Sequence, residues 1–227
     1  WVVSFDLNSL YPHLIMQYNI SPETLLETKH PTATVDKILN EELTFEMHQD
    51  SAVCANGAMY RKDVRGFLPE LMEKIYKDRT IYKKKMLQAK QDYEKKKSKR
   101  LEKEIARCNN IQMARKIQLN SAYGAIGNQY FRYYKLANAE AITLSGQVSI
   151  RWIENRMNRY LNKILKTENE DYVIASDTDS IYLNLGPLVE VVYKDREKDG
   201  SGICTFLNKV CEVEFEKYIE SSYETLA

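Results

Sequence analysis

Two aspartates lie two residues apart in an otherwise apolar segment, VIASDTDSIYLNL at residues 173–185. If the whole segment is one β-strand, Asp177 and Asp179 share a face with Ile181 and the two leucines that follow, because side chains alternate along a strand. An ionised carboxylate on a core face is costly unless a positive charge compensates it. A hairpin turn through Ser176 would avoid that cost, since Ser and Asp are common turn residues. We expect the strand, with a cation offsetting the desolvation of both carboxylates.

A third carboxylate, Asp6, ends the apolar run WVVSFDL at residues 1–7, which predicts a buried strand. Adjacent strands lie about 4.8 Å apart, so Asp6 and Asp179 could converge at one sheet edge and share divalent ions. Mg²⁺ is commonly held by one or two carboxylates together with substrate phosphates. Two such ions about 4 Å apart could activate a 3′-hydroxyl and stabilise a leaving pyrophosphate in an in-line displacement.

The predicted helix after Gly66 carries a stripe that starts apolar, becomes basic for one turn and is then apolar again, at Leu71, Ile75, Arg79, Lys83 and Met86. The stems of the basic residues could simply cover the edge of a core. Alternatively, Arg79 and Lys83 face an anion together with Lys116 of the next predicted helix, where Asn120 and Tyr123 follow at helical spacing. Three cations on two facing helices would suit a triphosphate.

The composition and the spacing of Cys and His limit the class of protein and the kind of metal site. The chain of 227 residues has 29% charged and 44% hydrophobic residues, as in ordinary soluble proteins. No apolar run approaches the roughly 20 residues of a membrane span. The cysteines form no CxxC pair and indicate free thiols in a reducing compartment: Cys54, Cys108, Cys204 and Cys211. The histidines, His13, His30 and His48, have no zinc-site spacing, so any metal should be bound by oxygen.

The net charge of +1 hides a strong asymmetry. Residues 74–107 contain 14 Lys and Arg against 5 Asp and Glu, a net charge of +9, which leaves −8 for the rest of the chain. The run KKKSKR at residues 95–100 could be only a solvated helix face. The other interpretation is a surface for a polyanion.

The periodicity of the chain predicts mixed α and β structure, α+β, with a projecting helical hairpin. Helices are predicted at 68–91 and 98–122, with a turn at 92–97 between them. A third helix is expected at 136–166 and a last one at 206–223. The third helix carries a set of predicted core positions: Leu144, Val148, Trp152, Met157, Leu161 and Ile164.

Three segments resemble the polymerase motifs of family B DNA polymerases, in the family's order and spacing. They are FDLNSLYP (5–12), KIQLNSAYGAIGN (116–128) and ASDTDSIY (175–182), with an RxxxK pair formed by Arg79 and Lys83 between the first two. The segments NISPETL (19–25) and NQYFRYY (128–134) are most similar to the T-even-type bacteriophage replicative enzymes. The resemblance covers essentially the whole chain.

The resemblance implies a site with two Mg²⁺ ions, for which Mn²⁺ can substitute. Asp6 and Asp179 would be the principal ligands, the carbonyl of Leu7 would add a third, and Asp177 would support the site. The reaction implied is nucleotidyl transfer from a dNTP to a primer 3′-hydroxyl in viral DNA replication.

It also implies a nucleotide site. The backbone amides of Ser9, Leu10 and Tyr11 would hold the triphosphate, and Tyr11 would exclude a ribose 2′-hydroxyl. The β and γ phosphates would bind three cations, Arg79, Lys83 and Lys116, of which Lys116 would donate a proton to pyrophosphate. The remaining contacts implied are Asn120 at the triphosphate, with Tyr123 and Gly124 near the nascent base pair.

The implied domains are a first palm part at 1–65, helical fingers at 66–128 and a second palm part at 129–227, with an antiparallel palm sheet. The implied partners are primer–template DNA and dNTPs, with a sliding clamp bound through regions outside this sequence and no membrane. The implied location is the cytoplasm of a phage host. Because exonuclease and thumb sequences are absent, we expect a partial chain. The family usually has YGDTDS, whereas Ser176 stands here for the glycine.

Two other interpretations compete with the polymerase. A glycosyltransferase of the DxD type would also place a metal on Asp177 and Asp179, but it would need neither FDLNSLYP nor the basic helical hairpin. A non-catalytic basic nucleic-acid-binding module would explain the +9 stretch and leave the three carboxylates unexplained. An EF-hand calcium loop fails, because its glycine and its last glutamate are not at the required positions.

Overall fold

The computed structural model describes residues 1–44, 49–194 and 199–226, so that His48 lies outside the described residues. The elements in chain order are β1 (Val2–Asp6), α1 (Leu10–Gln17), β2 (Leu25–Lys29), α2 (Val35–Leu39), β3 (Ser51–Val53), β4 (Ala58–Arg61), α3 (Phe67–Lys95), α4 (Lys99–Ile126), α5 (Leu136–Leu165), β5 (Val173–Asp177), β6 (Ser180–Asn184), α6 (Gly186–Val192), α7 (Gly200–Val210), a π-helical segment (Cys211–Phe215) and α8 (Glu216–Leu226). The predicted α+β class is confirmed by these elements.

The chain divides into two compact units. Unit 1 contains residues 1–8 and the chain from Gly146 onward, and unit 2 contains Ser9–Ser145.

Unit 1 is built on an antiparallel sheet of order β1-β6-β5. One face of central strand β6 is buried, at Ile181 and Leu183, because the helices of this unit pack against it. Met157 and Leu161 of α5 and Phe215 of the π-helical segment complete this core, each at most 1% exposed. The opposite face of the sheet stays open, which leaves room there for polar groups.

Unit 2 contains a second antiparallel sheet, of order β2-β4-β3, and the helical hairpin of α3 and α4. Its core joins α1, β4, α4 and the first part of α5 through Ile15, Tyr60, Leu119 and Ile142, which are all fully buried. The hydroxyl of Tyr60 donates to Oδ1 of Asn138 at 2.8 Å, so the buried phenol keeps a hydrogen-bond partner.

The helical hairpin is longer than its sequence pattern predicts. The helix α3 continues through the polar residues 92–95, so only residues 96–98 lie between the two helices instead of the predicted turn at 92–97. Ser98 caps α4 by accepting a hydrogen bond from the amide of Leu101. The predicted end at residue 122 is also wrong, because α4 runs to Ile126 and includes Gly124.

The prediction of one continuous strand at 173–185 is wrong. The segment is a hairpin of β5 and β6 whose turn contains Thr178 and Asp179. Ile181, Leu183 and Leu185 are buried as expected, whereas Asp177 is exposed and Asp179 is half-buried.

Two further burial predictions need correction. The strand β1 is an edge strand with one exposed face, and Val2 is 59% exposed, so it is not a buried strand. In α5, the predicted core positions Val148, Trp152, Met157 and Leu161 are buried. Leu144 is only half-buried, and Ile164 in the last turn of α5 is 44% exposed.

Candidate active site

The predicted approach of Asp6 to Asp179 occurs within unit 1, and Asp177 lies beside them. Asp6 at the end of β1 pairs with Ser180 of β6, and Asp177 at the end of β5 pairs with the same serine from the other side. Residues directly opposite one another in a sheet share a face, so Asp6 and Asp177 lie on the open face. The amide of Leu7 donates to the carbonyl of Asp179 at 2.8 Å, which fixes this turn residue beside the end of β1.

The turn itself has an unusual backbone. Thr178 has a φ of +49°, in the left-handed region that β-branched residues rarely adopt. Two contacts hold it there: the Thr178 hydroxyl donates to a carboxylate oxygen of Asp177 at 3.0 Å, and the amide of Asp179 donates to the Asp177 carbonyl. Ser176 has no such conformation, because it lies in β5 opposite Ile181. A glycine is therefore not required at position 176 by the backbone of this turn.

Asp179 lies in an environment of negative charge that would favour a bound cation. Burial raises the pKa of Asp179, and the negative charges of Asp6 and Asp177 raise it further. A like charge nearby makes each ionised carboxylate less stable, and a bound cation reverses that effect. The donor set is one of hard oxygens, which suits Mg²⁺ or Mn²⁺.

A groove of about 440 Å³ in unit 1 opens beside two of these carboxylates, Asp6 and Asp179. Its lining also includes Leu7, and Glu216 and Glu220 of α8. Sequence reasoning missed the two glutamates. Their signal is the four-residue spacing in EFEKYIE, which places both on one face of a helix. Within the described ranges, no three His, Cys, Asp or Glu side chains are arranged to enclose a metal ion by themselves.

Three predicted nucleotide-binding residues lie at the start of α1, in unit 2. Ser9 precedes the helix in a left-handed conformation with a φ of 56°. It is followed by Leu10 and Tyr11, whose amides belong to the helix N-terminus, where N–H groups have no acceptor within the helix. Such an N-terminus favours bound anions because its N–H groups and its dipole are positive.

Arg79 reaches this helix start from α3. Its Nη1 donates to the hydroxyl oxygen of Ser9 at 3.2 Å, over a separation of 70 residues in sequence. Its Nε is buried and makes no hydrogen bond in the part of the chain that the structure describes. A guanidinium with remaining donor capacity beside a helix N-terminus is well placed to bind phosphate oxygens.

The two predicted base-pair residues are near the same place. The rings of Tyr11 and Tyr123 lie 4.8 Å apart, so the ends of the first and second motifs are in contact within unit 2. At Gly124, an added Cβ would meet no atom within 4 Å. Packing of the described chain therefore gives no reason for this glycine.

The other predicted substrate residues are exposed on the hairpin. They are Lys83 on α3 and Lys116 and Asn120 on α4. Leu119, between the last two, is fully buried and fixes the orientation of this face of α4. The stripe that the sequence predicted thus combines buried Met86, half-buried Arg79 and exposed Lys83.

A sequence profile described as DNA polymerase family B matches residues 1–219. The chain belongs to this family. The matched range includes the Asp-x-Asp pair of Asp177 and Asp179, which argues against the glycosyltransferase interpretation.

Two phage proteins are similar over the whole family B chain. A DNA-directed DNA polymerase of Enterobacteria phage T4 is 34% identical, and one of Escherichia phage RB69 is 33% identical. The alignments cover 100% of this chain but 30% and 29% of the two relatives. The chain thus spans about a third of their length or slightly less.

A solved structure shares the fold of this family B chain. The family B DNA polymerase of the archaeon Pyrobaculum calidifontis matches 86% of the chain and 22% of its own length, with a TM-score of 0.52 and 27% identity. The predicted palm and fingers boundaries stay predictions, since the division into units 1 and 2 follows internal contacts and not these names.

Proposed function

We propose that this chain forms the nucleotidyl-transfer core of a template-directed DNA polymerase, which joins a dNTP to a primer 3′-hydroxyl. The observation that carries the proposal is the hydrogen bond from the Leu7 amide to the Asp179 carbonyl. It brings the first and third motifs together at one end of the sheet, although Leu7 and Asp179 are 172 positions apart in sequence. Membership of DNA polymerase family B supports the same reaction.

Asp6, Asp179 and the carbonyl of Leu7 would hold two Mg²⁺ ions, or Mn²⁺ in their place. Asp177 lies on the open face of the sheet and accepts a hydrogen bond from the Thr178 hydroxyl. Its negative charge would help to attract the cations. When bound, two divalent ions stabilise charge on the attacking and leaving oxygens of an in-line displacement. The raised pKa of Asp179 supports this assignment, because it reflects burial and unbalanced negative charge that cations would offset.

The triphosphate would bind where Arg79 meets the start of α1, on the amides of Ser9, Leu10 and Tyr11. These residues follow the metal ligands directly along the chain, so one short segment would serve both functions. Lys83 and Lys116 would bind the β and γ phosphates, with Asn120 assisting. Lys116 would also donate the proton that the pyrophosphate accepts.

Three residues would lie around the sugar and base of the nucleotide. Tyr11 would lie under the sugar and exclude a 2′-hydroxyl. Tyr123, whose ring lies 4.8 Å from that of Tyr11, would lie near the nascent base pair. Gly124 would lie against the nascent base pair, where a side chain would intrude. In this proposal, α3 and α4 are the fingers, and the remaining elements belong to the palm.

The proposed setting is replication of a phage genome in the cytoplasm of its host. The partners would be primer–template DNA and dNTPs, and a sliding clamp would bind elsewhere in the polymerase. Among the described residues, no helix is both long and apolar enough to cross a bilayer.

The test is a chimera in which residues 1–227 replace the matching segment of the phage T4 relative. We expect Mg²⁺-dependent primer extension by the chimera and a loss of at least about 100-fold in Asp179→Asn, because a neutral amide is a poorer ligand for a hard divalent cation. The matched control is Asp50→Asn, the same chemical change at an exposed position before β3.

A folded chimera that binds DNA and fails to extend primers would contradict the proposal and favour the non-catalytic basic module. Extension that survives Asp179→Asn undiminished would contradict the assignment of Asp179 as a metal ligand. Circular dichroism and thermal unfolding of each variant would establish that lost activity is not lost folding.

A further inference from the structure

The tip of the helical hairpin carries a dense positive surface that the proposed nucleotide site does not use. We define the hairpin-tip surface by six residues, Lys95, Lys96, Lys97, Lys99, Arg100 and Lys103, all exposed at the end of α3 and the start of α4. A groove of about 420 Å³ runs along α4 from Lys99 to Arg107. The surface is thus both charged and accessible.

The nearby acidic groups, Glu94 among them, are fewer than these six cations and form no ion pairs with them in the described chain. Glu104 forms an ion pair with Arg107 at 2.7 Å, and Glu102 accepts a hydrogen bond from the Tyr93 hydroxyl at 2.6 Å. Within the described chain, none of the six residues of the hairpin-tip surface forms an ion pair with a carboxylate. Their charges are therefore available to an external anion.

Helix stability does not account for the residues on α4. Lys99 and Arg100 are the first two residues of that helix, and Lys103 follows within the next turn. Positive side chains at a helix N-terminus oppose the helix dipole and cost a few tenths of a kcal/mol each. The lysines at the end of α3, in contrast, lie where cations are favourable. One acidic residue, Glu102, also lies in the first turn of α4 and offsets part of this cost.

The hairpin-tip surface is also remote from the proposed triphosphate contact. Arg79 and Lys95 lie on the same continuous helix, 16 residues apart, which corresponds to about 24 Å at 1.5 Å per residue. A nucleotide held by Arg79 cannot reach that far. The ligand of the tip must be a separate or a much longer anion.

We propose that the hairpin-tip surface binds the phosphodiester backbone of single-stranded DNA without sequence preference. Several lysines and an arginine over two adjacent helix ends are typical of backbone contacts, which carry no base information. The end of a two-helix hairpin is narrow, about 20 Å across, or two helix diameters. A flexible single strand can follow such a surface, whereas a duplex with a persistence length of about 150 base pairs bends around it only at an energetic cost.

The test is DNA binding by residues 1–227 with Lys99, Arg100 and Lys103 all changed to Glu. Anisotropy of a labelled oligothymidylate would be measured over a salt series. Because each neutralised phosphate contributes about 0.7 to the log–log salt slope for a single strand, we expect the slope to fall by about 2, and affinity at low salt to fall by about tenfold. The acidic replacements are favourable at a helix start, so folding should be retained.

The matched control changes Lys163, Lys209 and Lys217 to Glu, three exposed residues of unit 1 that give the same change in net charge. Only the tip variant should lose binding. Equal losses in both variants would mean that overall charge, not this surface, binds the strand. An unchanged slope in the tip variant would overturn the proposal.

A duplex of the same length provides the remaining comparison. A loss on duplex as large as that on the single strand would overturn the preference for single-stranded DNA. The proposal does not depend on catalysis: Asp179→Asn should leave the oligothymidylate binding unchanged. In the chimera, the tip variant should keep the apparent KM for nucleotide, so failure of one proposal is distinguishable from failure of the other.

Discussion

At the scale of single residues, one residue of the candidate site has a backbone conformation that its residue type disfavours. Thr178 adopts a left-handed conformation, although β-branched residues avoid it and a glycine or an asparagine would adopt it more easily. Strain of this kind costs of order 1–3 kcal/mol and persists only where the surrounding contacts impose it. Here the contacts are the hydrogen bond from the Thr178 hydroxyl to Asp177 and the backbone hydrogen bond from Leu7 to Asp179. The strained residue lies between two proposed metal-site carboxylates in sequence.

Gly124 gives a prediction in which stability and activity should change in opposite directions. Its position within α4 has open space around an added Cβ, so Gly124→Ala should stabilise the folded chain by about 0.5–1 kcal/mol through helix propensity and reduced unfolded-state entropy. If a base pair forms against this position, the same methyl should lower the rate of nucleotide incorporation in the chimera. The measurements are denaturant unfolding and single-turnover extension.

The control for Gly124→Ala is Gly66→Ala. There the added Cβ would lie 2.6 Å from the Cβ of Ser21, so the substitution should destabilise the chain. If Gly124→Ala is stabilising and leaves incorporation unchanged, the contact between Gly124 and a nascent base pair would be excluded.

At the scale of elements, side chains of the segment NISPETL (19–25) hold the start of α3. In the sequence, this segment stands out only for its resemblance to the phage enzymes. Asn19 accepts from the amide of Gly66 at 2.9 Å, and Glu23 accepts from the amide of Phe67 at 2.6 Å. Ser21 donates to Glu23 at 2.6 Å and lies 3.5 Å from the amide of Leu68. These side chains cap the helix that carries Arg79 and fix its starting direction.

The cap predicts an acid-dependent contribution of Glu23. Although burial opposes it, hydrogen bonds from Ser21 and the Phe67 amide lower the pKa of this carboxyl in the folded chain. A group with a lower pKa when folded stabilises the fold above its unfolded pKa of about 4.3, and that contribution is lost as the pH falls through the folded pKa. Glu23→Ala should therefore cost about 1 kcal/mol at pH 7 and progressively less in acid.

Urea unfolding of both proteins at a series of pH values would check this prediction. Glu23→Gln serves as the matched control, because its amide oxygen can still accept from Phe67 while its charge is absent. We expect it to lose less stability than Glu23→Ala at pH 7. A difference between wild type and Glu23→Ala that is constant from pH 7 into acid would mean that the ionised carboxylate does not cap the helix.

At the scale of the whole molecule, sequence reasoning succeeded where the physical constraint is local or carried by a motif. The helical hairpin, α5 and the approach of Asp6 to Asp179 were predicted from periodicity and from carboxylates at strand ends. A hairpin turn was weighed and rejected in favour of one continuous strand, because the alternating pattern continues through Thr178 and Thr disfavours the required φ. The extension of α3 was missed because residues 92–95 are polar, while the contact of Tyr93 with Glu102 becomes visible only once α4 is paired with it.

The positive segment and the proposed metal carboxylates lie in different units of the structure. The net charge of +9 at residues 74–107 lies on the hairpin of unit 2, whereas the proposed metal carboxylates belong to unit 1. Within the positive segment, Arg79 and Lys83 belong to the proposed triphosphate site, and residues 95–103 include the hairpin-tip surface. The small overall net charge of +1 conceals this division.

The two units have separate cores, and this predicts where stability is lost on mutation. Met157→Ala in unit 1 and Leu119→Ala in unit 2 each remove a side chain that is 0% exposed, so each should cost about 2–5 kcal/mol within its own core. Hydrogen exchange should then speed up mainly in β5 and β6 for Met157→Ala, and mainly in α1 and α4 for Leu119→Ala, since cooperative units open separately. A uniform increase throughout the chain in both variants would show instead that the two units unfold as one, in which case a core mutation in either unit would weaken the carboxylate site and the Arg79 site together.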